Sequence, residues 1–308
     1  MSFLLIEEMT NFTEQRQPTT TQDFCEADEL EEFHYIVLAS VNIFLSVAAT
    51  LGNVLILFAL HKESSLHPPS KLLLRCLAIT DLCVGLISHP MFAAQLLFKM
   101  YEVRNLCSPF NIWESLLSVI FGGVSLLTVT AVSVDRLLAL KLGLRYRHTV
   151  TITRVGSILT CFCVVAIAVA FAERFWNFAI FTNVKTGVIG LCLITSFFCY
   201  AKIFIRLHRH QVQMTANSWQ PNGEGTPLNI VRYRKTVSAA LWIQITLVAC
   251  YLPRAFTYTF RSAAFAGELY TGTLVLFNSS LNPFLYCWKI KEVRQAVKDT
   301  VKRCCSSS

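Results

Sequence analysis

Strongly polar side chains stand inside long apolar runs of this sequence at four places. Asn53 and Asp81 lie in the first two runs, the pair Asp135-Arg136 follows the third, and the segment Asn282–Tyr286 lies in the last. A buried carboxylate such as Asp81 is costly unless it is protonated, hydrogen-bonded or matched by a cation. Each of these groups is therefore a candidate for ion binding or for conformational switching.

Catalytic chemistry has much weaker support. An enzyme needs a convergent nucleophile and base or a metal cluster, but the seven histidines are scattered, mostly at the ends of the apolar runs. His208 and His210 flank Arg209 in a basic segment. The sequence predicts that the chain is not an enzyme and carries no catalytic cofactor.

The elements that position the polar groups are apolar helices. Hydrophobic residues make up 54% of the chain, charged residues make up 15%, and the mean hydropathy is +0.51. A lipid bilayer is therefore the expected solvent. Seven stretches lack Asp, Glu, Lys and Arg, and several reach the roughly 20 residues that span hydrocarbon. The stretches are Ile36–Leu60, Leu82–Phe98, Ser115–Val134, Val155–Ala172, Gly187–Ala201, Thr236–Pro253 and Leu269–Trp288.

The charge distribution predicts the orientation in the membrane. The first 33 residues hold nine acids and one base, Arg16, whereas every second connection and the tail from Lys289 to Arg303 are basic. Basic residues near span ends stay in the cytoplasm, so the N-terminus is expected outside the plasma membrane and the C-terminus inside. The net charge of +8 is therefore interpreted as a sign of membrane topology and does not predict a nucleic-acid partner. A basic face could also bind anionic lipid.

The fold class expected is all-α: a seven-transmembrane helix bundle with a short amphipathic cytoplasmic helix after the seventh span. Residues 1–33 form an acidic extracellular segment, residues 34–288 the bundle, and residues 289–308 the cytoplasmic helix and tail. The composition of Gln211–Val231 predicts a flexible cytoplasmic loop. The connection Glu173–Asn177 is too short to form a large outer lid.

Most of the 12 cysteines lie within the spans, where they act as small apolar residues. Cys25 and Cys107 are the two expected outside the cell, so they are predicted to form a disulfide. Cys304 and Cys305 follow the amphipathic stretch and suit palmitoylation, with unmodified thiols as the alternative. Asn11 begins an outer glycosylation sequon.

The polar motifs also occur in a recognisable order. Four motifs fall on helices one, two, three and seven in a pattern that resembles rhodopsin-like (class A) G-protein-coupled receptors: Gly52-Asn53-Val54, the segment Leu77–Asp81, Asp135-Arg136 and the segment Asn282–Tyr286. The resemblance runs from about Phe33 to Arg303.

The pattern of the outer cysteines refines this resemblance. Cys107 lies a turn above the usual position, and the short Glu173–Asn177 connection has no cysteine. These features, with no proline in the middle of helix five, are similar to the melanocortin, lipid, cannabinoid and adenosine receptor branch.

The resemblance implies an allosteric sodium site. Oxygen-bearing side chains suit a hard cation. The matching residues are Asp81, Ser125, Asn278, Ser279 and Asn282. The alternative is a neutral Asp81 that is hydrogen-bonded and hydrated without an ion.

The resemblance also implies a cytoplasmic switch that engages the G protein. Its matching residues are Asp135, Arg136, Tyr200, Tyr286, Asn282 and Pro283. Many relatives hold the arginine with a carboxylate on helix six, but Tyr233 occupies that position. A missing clamp predicts a small free-energy gap between resting and active states, and hence basal signalling.

Helix six carries the expected pivot, Cys250-Tyr251-Leu252-Pro253. Proline removes a backbone hydrogen bond and kinks the helix, which suits outward swinging of its inner end. Tyr251 stands where the family usually has tryptophan, so its ring is expected to serve as a smaller toggle.

The range of possible ligand classes is narrowed by exclusion. Ser118 stands where aminergic receptors have a carboxylate, and Leu276 stands where opsins have the retinal lysine. The acids of melanocortin receptors are replaced by Met91, Asn111 and Ser115, so a basic peptide is poorly supported. The candidate ligand residues are Glu114, Ser118, Lys185, Arg254 and Tyr258.

We expect an anionic or zwitterionic ligand at Arg254, with Lys185 as a second contact. The alternatives for Arg254 are simple pairing with Glu114 or snorkelling to the interface. The acidic N-terminal segment either recruits a basic peptide or is a solvated tail.

The resemblance implies a receptor that binds an unknown extracellular ligand and activates a heterotrimeric G protein. The alternative is a signalling-impaired or ligand-independent membrane scaffold. A transporter would show repeated halves or broken helices at a midplane site, and the sequence shows neither.

Overall fold

The structure is a computed structural model that describes Cys25 and residues 30–62, 66–175, 178–217, 242, 245–257, 265–289, 294–295 and 297–298. Within these residues the chain is helical and contains no β-strand. The main helices are α1 Glu32–Lys62, α2 Pro68–Met100, α3 Arg104–Leu142, α4 Ile152–Phe175, α5 Phe178–Asn217, α6 Ile245–Thr257 and α7 Phe265–Lys289. A 3-10 turn, Gly143–Arg145, and a one-turn helix, Tyr146–Thr149, connect α3 to α4.

The surface of the bundle is apolar and its interior is polar. Helices α1 to α5 are long and apolar enough to cross a membrane, and α6 is a shorter apolar helix. Phe44 and Phe197 are about two-thirds exposed or more, whereas Asn42, Asn53 and Asp81 are fully buried. This arrangement suits a hydrocarbon solvent, because lipid covers apolar side chains while polar ones find partners inside. The predicted all-helical membrane bundle is confirmed.

Helix α2 is interrupted near its middle. It begins at Pro68, where a missing backbone N–H costs nothing because the first turn has no acceptor for it. Residues Val84–Ser88 form a π-helical turn immediately before Pro90. Proline cannot donate to the carbonyl four residues earlier, so the helix widens there. This π-helical turn was not predicted from the sequence.

Helix α3 contributes to the core along much of its length. It packs against α2, α4 and α5, and Leu126 and Val129 lie in a core cluster with Leu77 of α2 and Leu247 of α6. The helix ends at Gly143, whose positive φ of 53° is a conformation that glycine adopts without steric cost.

Helices α1 and α7 approach each other very closely at one point. A Cβ added to Gly52 would lie 2.8 Å from Cβ and 2.9 Å from Cγ of Pro283. Optimal carbon–carbon contacts lie at about 3.5–4.0 Å, so only glycine allows this approach. The contact brings the polar motifs of α1 and α7 together.

Two predicted connections differ from the structure. Helix α5 continues through Asn217, so the first seven residues of the predicted loop Gln211–Val231 are helical, and that part of the prediction was wrong. The residues from 211 to 217 contain no proline or glycine to stop the helix. Likewise α4 continues to Phe175, so Glu173 is helical and the connection to α5 is shorter than predicted. The predicted segment boundaries at residues 33 and 288 remain predictions.

Candidate functional site

Asp81 lies at the centre of the bundle and joins three helices. Its side chain on α2 is fully buried. Ser125 of α3 donates a hydrogen bond to Oδ1 at 3.0 Å, and the amide of Asn282 of α7 donates to Oδ2 at 2.7 Å. Ser279 of α7 is within hydrogen-bonding reach of the same carboxylate. Four of the predicted sodium residues therefore lie together.

Asn278, the remaining predicted sodium residue, is also buried on α7, and its amide nitrogen has no hydrogen-bond partner among the described residues. Asn53 of α1 donates to the backbone carbonyls of Ala49 at 2.9 Å and Ser279 at 3.2 Å, while its own Oδ1 lacks a partner. Buried amide atoms without a partner are costly, and a water molecule could satisfy both the Asn278 nitrogen and the Asn53 oxygen. The Asp81 carboxylate, with the hydroxyl groups of Ser125 and Ser279 beside it, provides oxygen ligands of the kind that suit a hard cation.

Asp135, near the C-terminal end of α3, is contacted by three groups. Ser70 of α2 donates to its Oδ2 at 2.8 Å, and Tyr146 of the one-turn helix donates to its Oδ1 at 2.5 Å. The Nε atom of Arg136 lies 3.8 Å from Oδ2. The predicted Asp135-Arg136 pair is present, but it is the longest of the three contacts, and Arg136 remains one-third exposed.

Ser70 and Tyr146 are functional candidates that the sequence analysis missed. Ser70 follows two prolines at the start of α2, and Tyr146 lies in a basic connection. Neither position has a periodic pattern that points to the carboxylate. Only the fold of the α3–α4 connection brings the phenol back to α3.

Tyr200 on α5 is buried and accepts a hydrogen bond from Ser133 of α3 at 3.1 Å. Ser133 lies almost one turn before Arg136 on α3, so Tyr200 is close to the switch region. Tyr286 belongs to α7, but its side chain and the whole of Tyr233 lie outside the described residues.

The predicted pivot lies on α6. Cys250 and Tyr251 are buried in the same core cluster as Leu126 and Val129 of α3, and Pro253 follows two residues later. Tyr251 is 4% exposed. Its ring is therefore packed inside the bundle, as a toggle residue requires.

The half of the bundle at the start of α3 contains two groups of charges. Lys185 of α5 forms an ion pair with Glu173 of α4, and both side chains are largely buried. Glu114 of α3 is 9% exposed and accepts a hydrogen bond from Ser118. Arg254 of α6 donates to the backbone carbonyl of Glu268 on α7 at 2.8 Å and to the Thr271 hydroxyl at 3.3 Å. Tyr258 lies outside the described residues.

A polar cluster between α1, α2 and α7 was also missed. His89 is fully buried, and its Nδ1 lies 2.8 Å from Oδ1 of Asn42. Asn42 donates to the Leu38 carbonyl at 2.9 Å and to Thr273 of α7 at 3.1 Å. Because the amide nitrogen of Asn42 is the donor in these bonds, its Oδ1 atom accepts a hydrogen bond from Nδ1 of His89. The sequence does contain a sign of this cluster, because a histidine inside the apolar run Leu82–Phe98 needs a polar partner.

The outer thiols are joined as predicted: Cys25 and Cys107 form a disulfide, with their Cα atoms 6.0 Å apart. It fixes Cys25 to the start of α3. Asn11, Cys304 and Cys305 lie outside the described residues, so glycosylation and palmitoylation stay predictions.

Comparison with known proteins shows which proteins the chain is similar to. A family model described as "7 transmembrane receptor (rhodopsin family)" matches residues 52–179. Melanocortin receptor 5 of Rattus norvegicus is 24% identical, covering 87% of this chain and 85% of the relative. Adenosine receptor A3 of Ovis aries is 24% identical, covering 87% and 90%. Adenosine receptor A2a of Canis lupus familiaris is 25% identical, covering 86% and 72%.

The relatives are receptors and not enzymes, and they match the chain along most of its length. The bundle of apolar helices with buried polar motifs agrees with that class. The chain is a membrane-spanning homologue of the rhodopsin-family, class A G-protein-coupled receptors.

Proposed function

We propose that this protein is a plasma-membrane receptor that converts binding of an extracellular ligand into activation of a cytoplasmic heterotrimeric G protein. The observation that carries the proposal is the environment of Arg136. Its neighbour Asp135 accepts hydrogen bonds from Ser70 at 2.8 Å and Tyr146 at 2.5 Å, whereas the Arg136 Nε atom lies farther away, 3.8 Å from the same carboxylate. An arginine that is partly exposed at the inner end of α3 is available to a cytoplasmic partner.

The orientation proposed has the N-terminus outside and the C-terminus in the cytoplasm. The disulfide between Cys25 and Cys107 supports it, because disulfides persist in oxidising compartments and are rare in the cytosol. Cys107 lies at the start of α3, and Arg136 lies near its other end. One helix thus joins the outer disulfide to the inner switch.

Activation is proposed to involve movement of α6 about Pro253. Tyr251 lies in the same core cluster as Leu126 and Val129 of α3, so a shift of this ring would disturb the packing of that cluster. The Tyr200 hydroxyl already bonds to Ser133 beside the switch. Movement of α6 would open the space between these groups and Arg136.

A sodium ion is proposed to bind the carboxylate of Asp81 in the resting state. Asp81, Ser125, Ser279, Asn278 and Asn282 would hold it, and the ion would supply the positive charge that this buried carboxylate lacks. The full burial of the Asp81 carboxylate and the hydroxyl group of Ser125 beside it support the proposal. Replacement of Asp81 by Asn should abolish any effect of sodium on thermal stability, with potassium as the control ion.

The proposed function is tested by basal signalling. We expect cells that express the receptor to show cAMP or calcium signals above those of empty cells, and Arg136→Ala to abolish them at matched surface levels. Arg104→Ala is the matched control, because Arg104 lies at the opposite, outer end of the same helix. Equal signals from the Arg136→Ala variant and the unchanged receptor would contradict the proposal.

The competing function is a scaffold that does not signal. A scaffold has no physical need to bury Asp81 or to hold Asp135 with two hydroxyl donors. Silence of the unchanged receptor together with failure to recruit any G protein in a panel of G-protein dissociation sensors would favour it.

A further inference from the structure

The C-terminal half of α5 carries three basic side chains on one face. Lys202, Arg206 and Arg209 are four and three residues apart, a spacing that places side chains on the same side of an α-helix. All three are exposed. Phe198 lies one turn before Lys202, and the Lys202 ammonium nitrogen lies 5.3 Å from the centre of its ring. These four residues form what is called here the basic face of α5.

The basic face begins inside the apolar part of the helix. The apolar span of α5 is Asn183–Arg206, so Lys202 lies about 6 Å, or one turn, before its end, and Arg209 lies beyond it. Phe198 is 53% exposed, and Ile205, between the bases, is 45% exposed. A lysine at this depth buries its stem in hydrocarbon and extends its ammonium group to the headgroup layer. The basic face therefore crosses the boundary between hydrocarbon and headgroups.

Counter-ions for this face are scarce in the protein itself. Residues 136–267 contain fifteen Lys and Arg residues but only two acids, Glu173 and Glu224. Glu173 pairs with Lys185 near the other end of α5, and Glu224 lies outside the described residues. Asp135 of α3 is buried and already accepts hydrogen bonds from two hydroxyl groups. Charge balance therefore favours an anion from outside the chain.

An anionic phospholipid complements both parts of the face. Its acyl chains cover Phe198 and Ile205 while its headgroup reaches the bases. A water-soluble polyanion has no apolar part for these side chains and meets only the aqueous end of the face, at Arg209. The three bases are spread over about 10 Å of helix axis, which is more than a single phosphodiester spans. A headgroup with additional phosphate monoesters offers a separate anion to each base.

We propose that the basic face of α5 binds the headgroup of a phospholipid that carries phosphate monoesters. In the orientation proposed above, this lipid belongs to the cytoplasmic leaflet, whose anionic lipids attract bases next to a membrane span. Lys202 contacts the phosphate nearest to the hydrocarbon. Arg206 and Arg209 contact the outer phosphates, because guanidinium forms paired hydrogen bonds with phosphate oxygens. A bound lipid thus fixes the depth of α5 where the helix leaves the membrane.

The test uses the purified full-length receptor in detergent micelles. Native mass spectrometry counts the lipid molecules retained by the receptor in titrations of phosphatidylinositol bisphosphate, phosphatidylserine and phosphatidylcholine. Inositol trisphosphate, a headgroup without acyl chains, is the fourth probe. We expect saturable binding of phosphatidylinositol bisphosphate at a lower concentration than phosphatidylserine needs, and background binding of phosphatidylcholine. Inositol trisphosphate should bind more weakly than the intact lipid.

Substitutions then locate the site. The triple variant Lys202→Gln, Arg206→Gln, Arg209→Gln removes three exposed charges from the face. Its affinity for phosphatidylinositol bisphosphate should fall on the order of a hundredfold, since each base beside an anionic surface contributes a factor of about five. If the triple variant fails to fold, Arg209→Gln alone should lower the affinity by that single factor.

The matched control is the triple variant Lys141→Gln, Arg145→Gln, Arg147→Gln. These three bases are also exposed, but they lie at the end of α3 and in the connection to α4. The control loses the same net charge, so it separates a local headgroup site from a general electrostatic attraction. It should retain nearly the affinity of the unchanged receptor.

The lipid site is rejected if the control loses as much affinity as the variant of the basic face, or if that variant binds like the unchanged receptor. Equal binding of phosphatidylserine, phosphatidylcholine or inositol trisphosphate also overturns the proposal. Binding in micelles does not depend on orientation or on G-protein coupling. A silent receptor that binds the lipid would therefore reject the proposed function alone, whereas signalling that depends on Arg136 without lipid binding would reject the lipid site alone.

Discussion

The contact between Gly52 and Pro283 gives a prediction that can be worked out from distances. In Gly52→Ala the new Cβ would lie 2.8 Å from Cβ of Pro283. Since carbon atoms prefer about 3.5–4.0 Å, α1 and α7 must separate by about 0.7–1.2 Å. Overpacking of this kind costs about 1–3 kcal/mol. We therefore expect Gly52→Ala to lower the unfolding temperature. In proteins somewhat smaller than this one, each kcal/mol of lost stability lowers that temperature by about 2–4 °C.

The matched control is Gly156→Ala on α4, where an added Cβ meets nothing within 4 Å. Both substitutions gain the same helix propensity, about 1 kcal/mol, because alanine replaces glycine inside a helix. The difference between the two variants in nanodiscs therefore isolates the steric cost. A Gly52→Ala receptor as stable as Gly156→Ala would refute the reasoning, and Gly52→Val should widen the difference.

Two further predictions concern the outer half of the bundle. Cys25→Ser and Cys107→Ser should each lower the free energy of unfolding by about 2–4 kcal/mol. The double variant should be no less stable than either single variant, because the same disulfide is lost in all three. Thermal unfolding without reductant measures these losses, and additive losses would contradict the prediction. His89→Leu leaves Oδ1 of Asn42 buried without a donor and should cost about 1–3 kcal/mol. A double-mutant cycle with Asn42→Leu measures the coupling, and a coupling energy of zero would show that the 2.8 Å contact has no energetic consequence.

Much of the bundle follows from the sequence because membrane helices obey simple rules. Apolar runs without charges have few alternatives to helix in hydrocarbon, so the positions of α1 to α5 could be predicted. The neighbours of Asp81 were predicted through the resemblance to class A receptors, which matches Ser125 and Asn282 to the family's sodium site. The structure places both residues on the Asp81 carboxylate. The Cys25–Cys107 pair followed from the small number of thiols outside the spans.

Other features depend on how distant segments meet, which no local pattern encodes. Tyr146 reaches Asp135 only because α3 ends at Gly143 and a 3-10 turn redirects the chain. Lys185 was expected to contact a ligand, but the short connection between α4 and α5 brings it to Glu173. Such pairings require the angle between helices, which the period of apolar residues does not specify.

The length of α5 has a mechanical consequence. Its 40 residues extend over about 60 Å, twice the roughly 30 Å of the hydrocarbon layer. The apolar part ends at Arg206, so the 11 residues to Asn217 form a stiff arm of about 16 Å beyond it. If α5 tilts by about 10° about the Tyr200–Ser133 hydrogen bond, the tip of this arm, about 25 Å from Tyr200, moves by about 4 Å. The helix thus acts as a lever that amplifies a small rearrangement inside the membrane into a displacement in the aqueous layer.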